Sequence, residues 1–245
     1  RDLIAYADNI TAETEETVQE FGEYYGEKIE KKTYLLPFGI EVLEWIDRIE
    51  NHSRSRLKEK LHIPSDKIVI TCGHNAIREH QHMKIIDALE MLPEKLKKQL
   101  AFVFPMTYPQ KADEYINSVR SRLKESRLEY IILTDFMDFR EMAEYALISD
   151  VMIHVQITDQ LSSTMLEEMY AGSIIMAGKW LPYQSLHEMG IFFIDVEQIC
   201  DITITIEDII TNIEKYKTKC KGNKAIIRKH SAWDELASKW YALWK

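Results

Sequence analysis

The sequence predicts an α/β protein with a doubly wound parallel sheet of about six strands and extra helices at its termini. Two observations lead to this prediction. Short runs that are almost continuously apolar recur from residue 68 onward, as in strands that are buried on both faces. Each run is followed by a longer segment with apolar residues at helical spacing, and such alternation builds a parallel sheet covered by helices.

Three segments come before this series. The first has apolar side chains at helical spacing, the second is a short run interrupted by a proline and a glycine, and the third is rich in charge. They predict a helix over 12–26, a strand over 33–38 and a helix over 41–61.

The series itself alternates strands and helices. The predicted strands are 68–72, 100–104, 130–133, 151–155, 173–177 and 191–194. The predicted helices are 79–92, 110–125, 139–148, 163–171, 183–189, 206–219 and 222–229. Because ligands of such sheets bind at the carboxyl ends of the strands, the loops that leave those ends are the places to look for chemistry.

The last predicted helix, 231–244, has an apolar stripe with three tryptophans. Its members are Trp233, Leu236, Ala237, Trp240, Tyr241 and Trp244. The stripe docks either on the core of this domain or on a second domain.

Composition excludes several classes of function. A net charge of −9 over 245 residues disfavours nucleic acid as a partner. No apolar run is long enough to span a membrane. The cysteines Cys72, Cys200 and Cys220 are far apart and form neither a metal pair nor a disulfide framework. We therefore expect a cytoplasmic protein, and since the chain begins with Arg1 in mid-pattern, we expect a fragment of a longer one.

The loop after the first strand of the series contains Gly73, His74, Asn75 and Arg78. A glycine lets backbone approach a ligand, the following helix start offers N–H groups to an anion, and arginine adds a charge-assisted contact. The alternative is a plain turn with a solvated Arg78. Three histidines, His74, His80 and His82, lie in this stretch. No cysteine or carboxylate lies beside them at the spacing of a metal site, so we expect them to form hydrogen bonds or to lie at the surface rather than to bind a metal.

The next two loops offer hydroxyls and an aromatic ring. Thr107 and Tyr108 lie between two prolines, in a segment that is either a ligand contact or a stiff connector. Phe136 follows the third strand, beside a capping-box pattern that explains Asp138 and Glu141 without a ligand.

The fourth loop carries most of the functional argument. Its backbone and hydroxyl donors open a helix and could hold a diphosphate, with one carboxylate before the helix and another one turn inside it. The candidate residues are Asp159, Gln160, Leu161, Ser162, Ser163, Thr164 and Glu167. A capping box between Thr164 and Glu167 is the alternative without a ligand.

At this loop the chain resembles the family 4 type of GT-B glycosyltransferases. Asp159, then seven residues, then Glu167 and the helix ending at Gly172 match that family's acidic motif, with Asp in place of the first Glu. The resemblance implies that Asp159 contacts the donor sugar and that Glu167 holds the nucleotide ribose. The family commonly has an arginine where His74 stands, so Arg78 is the expected substitute.

A narrower likeness covers the segment from Pro105 to Pro109 and the residues Tyr115, Ile116, Val119 and Arg120. It is similar to the TDP-Fuc4NAc:lipid II Fuc4NAc transferase family, as is the spacing of Gly73, Arg78 and His82.

Together the resemblances imply the donor-binding, Rossmann-like C-terminal half of a glycosyltransferase, inactive by itself. They imply transfer from a nucleotide diphosphate-sugar to a lipid-linked or growing surface glycan, without a metal or other cofactor. Arg78 and Lys179 are the expected sources of positive charge for the leaving diphosphate. Peripheral association with the inner face of the membrane stays open.

The implied organisation has four parts. They are the tail of an N-terminal domain with its crossover at 1–40, a helical linker at 41–63, the nucleotide-sugar-binding domain at 64–230 and a C-terminal helix at 231–245. The competing hypothesis is a non-catalytic or epimerase-like Rossmann-type module.

Overall fold

The fold is described from a computed structural model, which covers residues 2–109 and 111–244. Its N-terminal part holds a small parallel pair of strands, in which Ile10 pairs with Thr33. The elements before the main sheet are α1 (Asp2–Tyr6), β1 (Ile10–Ala12), α2 (Glu15–Tyr25), α3 (Glu27–Glu30), β2 (Thr33–Leu35), α4 (Val42–Ile49) and α5 (Arg54–Lys60).

The main sheet has six strands, all of them parallel. They are β3 (Ile68–Cys72), β4 (Leu100–Pro105), β5 (Tyr130–Leu133), β6 (Val151–His154), β7 (Ile174–Gly178) and β8 (Ile194–Val196). Their order is β5-β4-β3-β6-β7-β8, so the direction in which strands are added reverses between β3 and β6.

The helices of this part alternate with the strands and continue to the C-terminus. They are α6 (His82–Glu90), α7 (Glu94–Lys97), α8 (Asp113–Glu125), α9 (Phe139–Ile148), α10 (Ser163–Ala171), α11 (Gln184–Glu188), α12 (Ile202–Thr211), α13 (Ile213–Cys220), α14 (Asn223–Ser231) and α15 (Trp233–Leu243). Short 3-10 turns span Arg78–His80 and Ile199–Asp201.

Both faces of the sheet are buried, which confirms the predicted doubly wound architecture. Alternate residues of β3 point to opposite sides, as the period of a strand requires. Ile70 belongs to an apolar core shared with α6, α8 and α12, whereas Val69 packs on the other side with residues of α5 and α9. A third apolar cluster joins α4, α9, α10 and α14 on that second face.

The strand predicted over 33–38 ends at Leu35, and the helix predicted over 12–26 begins at Glu15. Four further boundaries differ from the sequence-based predictions. The last strand is Ile194–Val196 rather than 191–194, since Ile191 and Phe193 pack into the core from the loop before it. The charged helix 41–61 is two helices, because the chain turns extended at Ser53. Gln81, in the left-handed region with φ of 58°, separates the 3-10 turn from α6 within the predicted helix 79–92. Helix 206–219 also divides, into α12 and α13.

Four short elements were not predicted, namely α1, β1, α3 and α7. The predicted helix 110–125 begins at Asp113, and position 110 lies outside the described residues.

The C-terminal helix docks only in part. Leu236 is buried, and the indole of Trp240 stacks on Phe38 and donates a hydrogen bond to the Pro37 carbonyl at 3.0 Å. Trp244, however, is 81% exposed. The predicted stripe therefore packs against this chain at its beginning and middle but not at its end.

Candidate functional site

A cavity of about 200 Å³ lies at the carboxyl end of the sheet. The reversal of strand order between β3 and β6 creates a crevice there, which is where sheets of this kind bind ligands. All four loops singled out in the sequence contribute to its walls. The predicted donor-binding residues that line it are His74, Asn75, Thr107, Tyr108, Phe136, Thr164 and Glu167.

Gly73 permits the close packing at the first loop. Its φ is +67°, which favours glycine, and its N–H donates to the Ile153 carbonyl at 3.1 Å. A Cβ atom at this position would lie 2.8 Å from Nε2 of His82. The loop can therefore turn against His82 only with glycine at position 73.

Four imidazoles cluster where β3 and β6 end. The ring centroid of His74 lies 4.2 Å from that of His80 and 5.6 Å from that of His154, and His80 lies 5.8 Å from His82. Each ring has one buried nitrogen without a hydrogen-bond partner among the described residues.

Three of these histidines, His74, His80 and His82, are held in the neutral form. Burial lowers the pKa of His80 to about 3 and that of His82 to about 4, and it lowers the pKa of His74 well below its usual value. Neighbouring imidazoles lower the pKa of His74 and His80 further. A bound anion would offset both causes, because it favours the charged form of each ring.

The start of α10 is capped by the chain itself. Ser162 is the N-cap, and its hydroxyl accepts a hydrogen bond from the Met165 N–H at 3.2 Å. The hydroxyl is thus engaged in capping. The alternative capping box between Thr164 and Glu167 is wrong, because the helix begins at Ser163 and its cap is Ser162. The capping box of Asp138 and Glu141 is present as predicted.

Glu167 lies between two cavities. It lines the one described above and a second one, which it shares with Leu161, Ser163 and Trp233. Burial raises the pKa of its carboxyl to about 8. Glu167 is therefore a neutral acid near pH 7, which can both donate and accept a hydrogen bond.

Asp159 is held by two rings. Its Oδ2 accepts a hydrogen bond from the Tyr183 hydroxyl and lies 3.3 Å from Nε2 of His154, and its Oδ1 accepts one from the Gln160 N–H at 2.9 Å. Burial raises the pKa of Asp159, but the hydrogen bonds from His154 and Tyr183 more than offset this, so the pKa is lower than usual. The carboxylate is thus ionised and oriented, outside the walls of the first cavity.

The two predicted cations, Arg78 and Lys179, have different surroundings in the structure. The guanidinium of Arg78 is exposed at the 3-10 turn and lies over the ring of Tyr115, 5.0 Å from its centroid. Lys179 forms an exposed ion pair with Glu197 and is not among the residues that line the first cavity. Arg78 does not line the first cavity either, but the ring of Tyr115 beneath it contacts His82 of the histidine cluster.

Three residues of this region were missed in the sequence. A polar residue, His154, closes an otherwise apolar strand, which is a signal that could have been used. Glu168 follows the motif acid Glu167 and lines the same cavity. Tyr183 had no signal, because only the fold brings it to Asp159.

No group of three or more histidine, cysteine or acidic side chains within 2–109 and 111–244 is arranged to hold a metal ion. Over the same residues, no helix has the length and apolar character needed to cross a bilayer.

Neither a protein-family model nor a curated protein sequence matches this chain. Solved structures do match. The protein HepE of Anabaena, solved in complex with UDP and glucose, gives a TM-score of 0.78 at 15% identity, over 98% of this chain and 64% of that one. Sucrose-phosphate synthase from Thermosynechococcus elongatus gives 0.80 at 16% identity, over 99% and 59%.

WaaG, a glycosyltransferase involved in lipopolysaccharide biosynthesis, gives a TM-score of 0.71 at 15% identity, over 95% of this chain and 61% of that one. The chain thus spans about 60% of the length of the structures that it matches. At these identities the likeness concerns the fold. Over the residues that the structure describes, the chain has the fold of a GT-B glycosyltransferase domain with a six-stranded parallel sheet.

Proposed function

We propose that this chain is the donor-binding half of a GT-B glycosyltransferase, which transfers a sugar from a nucleotide diphosphate-sugar to a lipid-linked or growing surface glycan. The observation that carries the proposal is the cavity at the strand ends, to which all four predicted loops contribute. Its position at the topological switch point agrees with a nucleotide ligand. The complexes of HepE with UDP and with UDP-glucose support a uridine nucleotide as the first ligand to test.

In this proposal Glu167 hydrogen-bonds the ribose hydroxyls. Its buried carboxyl has no capping role and lines the cavity, so its hydrogen-bonding capacity is available to a ligand. Asp159 faces the donor sugar, held in orientation by His154 and Tyr183.

The leaving diphosphate needs positive potential. In our proposal the N-terminus of α10 and the guanidinium of Arg78 supply it, as electrostatic stabilisation of a leaving group requires. His74 lines the cavity, and its unpartnered ring nitrogen, like those of the three histidines clustered with it, is available to the phosphates. We do not assign this role to Lys179, because its amine pairs with Glu197. The acceptor would bind to the remainder of a longer enzyme.

The parallel pair β1-β2 supports a partner domain. Parallel sheets are found with both faces covered and with more than two strands, yet this pair stands apart from the six-stranded sheet. Tyr34 and Leu35 of β2 are exposed. These features fit the end of an N-terminal domain at residues 1–40, followed by a linker at 41–63.

The test is direct binding. Titration calorimetry with UDP, GDP and TDP should detect one preferred nucleotide, and that nucleotide should raise the melting temperature by mass action. The variant Glu167→Ala should weaken its binding at least about tenfold, or roughly 1.4 kcal/mol, through loss of the ribose contact. The control is Glu27→Ala, an exposed carboxylate paired with Lys31.

Unchanged affinity in the Glu167 variant would remove that residue from the site. Absence of binding by all three nucleotides would contradict the proposed function and favour a Rossmann-type module of another kind.

A further inference from the structure

A second carboxyl lines the cavity beside Glu167. Glu168, the next residue of α10, is 1% exposed and is one of the side chains that form the cavity wall. No capping or ion-pairing role explains it, since the described residues place no cation in a salt bridge with it. Burying a carboxyl without hydrogen-bond or ion-pair partners is unfavourable, so a buried carboxyl in a cavity wall suggests a contact with a ligand.

One oxygen of the Glu168 carboxyl, Oε2, accepts a hydrogen bond from a chain of three hydroxyls. The Tyr145 hydroxyl lies 2.8 Å from the Thr71 Oγ, which lies 2.8 Å from the Ser149 Oγ, and Ser149 donates to Oε2 of Glu168 at 2.7 Å. The other oxygen, Oε1, is buried and has no hydrogen-bond partner among residues 2–109 and 111–244. Glu168 is thus oriented through one oxygen and unsatisfied at the other.

The protonation state decides what Oε1 offers. Burial raises the pKa of Glu168 to about 8, although the hydrogen bonds from Ser149 and Thr71 lower it in part, so the carboxyl is neutral at pH 7. Because Oε2 accepts the hydrogen bond that Ser149 donates, we place the acid proton on Oε1. The cavity wall then contains an O–H donor that lacks an acceptor, and leaving a buried hydrogen bond unmade is unfavourable.

We propose that Oε1 of Glu168 selects the base of the donor nucleotide by donating a hydrogen bond to a ring carbonyl. The inference rests on the proposed function and extends it to the class of base. A base of the uracil or thymine type has a carbonyl at C4, where cytosine has an amino group that would meet the O–H donor with another donor. The site therefore takes uridine or thymidine nucleotides in preference to cytidine nucleotides.

The rest of the wall suits such a ring. Pro105, Met137 and Met142 offer apolar surface, and Phe136 stands exposed at the same cavity. Glu167 and Glu168 line the same cavity, so a ribose at the first carboxyl and a base at the second would share that space.

The test compares UDP, which has the C4 carbonyl, with CDP, which has the C4 amino group. Calorimetry at pH 7 should show that the protein binds UDP at least about tenfold more tightly than CDP. With UDP the Glu168 O–H donates a hydrogen bond to the C4 carbonyl, whereas with CDP it faces the C4 amino group, which is another donor. The variant Glu168→Leu should lose most of that preference. Glu125→Leu, an exposed carboxyl of α8 outside the cavity wall, should retain it.

A second variant keeps the test valid if Glu168→Leu does not fold. Glu168→Gln keeps the shape and an N–H donor but cannot ionise. Between pH 6.5 and 8.5 the preference of the wild type for UDP should fall, because ionised Glu168 becomes an acceptor, whereas that of the Gln variant should stay constant. The other titratable groups facing this carboxyl or lining its cavity are Glu167, Tyr108, Tyr145, Cys72 and His74. They are present in both proteins, so a difference between the two pH profiles is assigned to the ionisation of Glu168.

The outcomes separate the two proposals. Equal binding of UDP and CDP by the wild type, or an unchanged preference in Glu168→Leu, would overturn the role of Glu168 while leaving the nucleotide site in place. Failure of the wild type to bind UDP, TDP or GDP would overturn the proposed function itself.

Discussion

The hydroxyl of Tyr183 donates a hydrogen bond to Oδ2 of Asp159, which joins the loop after β7 to the loop after β6. Nε2 of His154 lies 3.3 Å from the same oxygen. The acid of the sequence motif is therefore not free to rotate. Its orientation depends on a tyrosine 24 residues further along the chain.

The variant Tyr183→Phe tests this dependence. Loss of the hydroxyl should raise the pKa of Asp159, because one of the hydrogen bonds that stabilise the carboxylate disappears. We expect a loss of about 1 kcal/mol in the free energy of unfolding, measured by urea denaturation at pH 7. The pKa can be followed by NMR titration of the Asp159 carboxyl.

The matched control is Tyr24→Phe, whose side chain is 71% exposed. It should unfold like the wild type. An unaltered titration of Asp159 in Tyr183→Phe would mean that His154 and the Gln160 N–H suffice to hold the carboxylate.

Gly73→Ala should damage both stability and the site. A left-handed conformation costs an alanine about 1–2 kcal/mol, and here the new Cβ would also lie 2.8 Å from Nε2 of His82 and 3.3 Å from Cβ of His80. The expected result is a loss of more than about 2 kcal/mol in denaturant unfolding, with weaker nucleotide binding as the histidines move.

Substitutions at two other glycines distinguish the cost of backbone strain from the cost of the contact with His82. Gly172 has φ of +97° and a Cβ added there would have no neighbouring atom within 4 Å, so Gly172→Ala should cost only the backbone strain. Gly222 is in the right-handed region with open space around it, so Gly222→Ala should be neutral or slightly stabilising. Equal losses for Gly73→Ala and Gly172→Ala would show that the histidine contact has no energetic weight.

Asp150→Ala should be among the most destabilising single changes. Asp150 has a side chain only 4% exposed, pairs with Arg54 and Lys217 at 2.7 Å each, and accepts from the Val69 N–H at 3.0 Å. It thereby ties β3 to the start of β6, the two strands that flank the switch point. Removing it leaves two cations without their partner, so we expect a loss of about 3–5 kcal/mol in urea unfolding.

Glu27→Ala is the comparison for Asp150→Ala. Glu27 pairs with Lys31 at 2.6 Å, but the two side chains are 76% and 73% exposed. Such a pair contributes about 0.5 kcal/mol or less. A loss of similar size in the two variants would contradict the structural importance of the buried pair.

The periodic part of the fold was accessible from the sequence, because strands buried on both faces are apolar throughout and their helices are amphipathic. That reasoning predicted five of the six sheet strands within one or two residues. It misplaced β8, because the loop before it contains Ile191 and Phe193, which are apolar since they pack into the core and not because they form a strand. Four loops were correctly expected to converge, since parallel strands end at one edge. Tertiary partners were not predictable in this way: the pairing of Tyr183 with Asp159 and the burial of Glu168 depend on how helices pack.

The stability of the protein should have a maximum near pH 6.5, with losses on both sides. Burial raises the folded-state pKa of Glu167 and Glu168 from 4.5 to about 8. Their contribution is therefore fully present below pH 4.5 and is lost as the pH rises toward 8. His74, His80 and His82 have the opposite effect on the pH dependence, because folding lowers their pKa values below 6.5. For His80 the folded-state pKa is about 3.

The unfolded chain takes up protons on these histidines as the pH falls below 6.5, whereas the folded chain does not, so stability falls toward acid. Between pH 4.5 and 6.5 these three histidines, together with His230, whose pKa burial also lowers, outweigh Glu167, Glu168 and Glu13, whose pKa burial raises. Between pH 6.5 and 8 the change in stability follows Glu167 and Glu168. Urea unfolding across pH 4.5–8.5 measures both limbs. Glu168→Gln should reduce the loss above pH 6.5 by on the order of 1 kcal/mol, and His80→Gln should reduce the loss below it.

His52→Gln is the control for the acid limb, because His52 is exposed and should leave the profile unchanged. Superimposable alkaline limbs for Glu168→Gln and the wild type would show that Glu168 ionises in the folded protein as readily as in the unfolded chain. In that case its Oε1 would carry no proton at pH 7, and the preference for a carbonyl-bearing base would lose its physical basis.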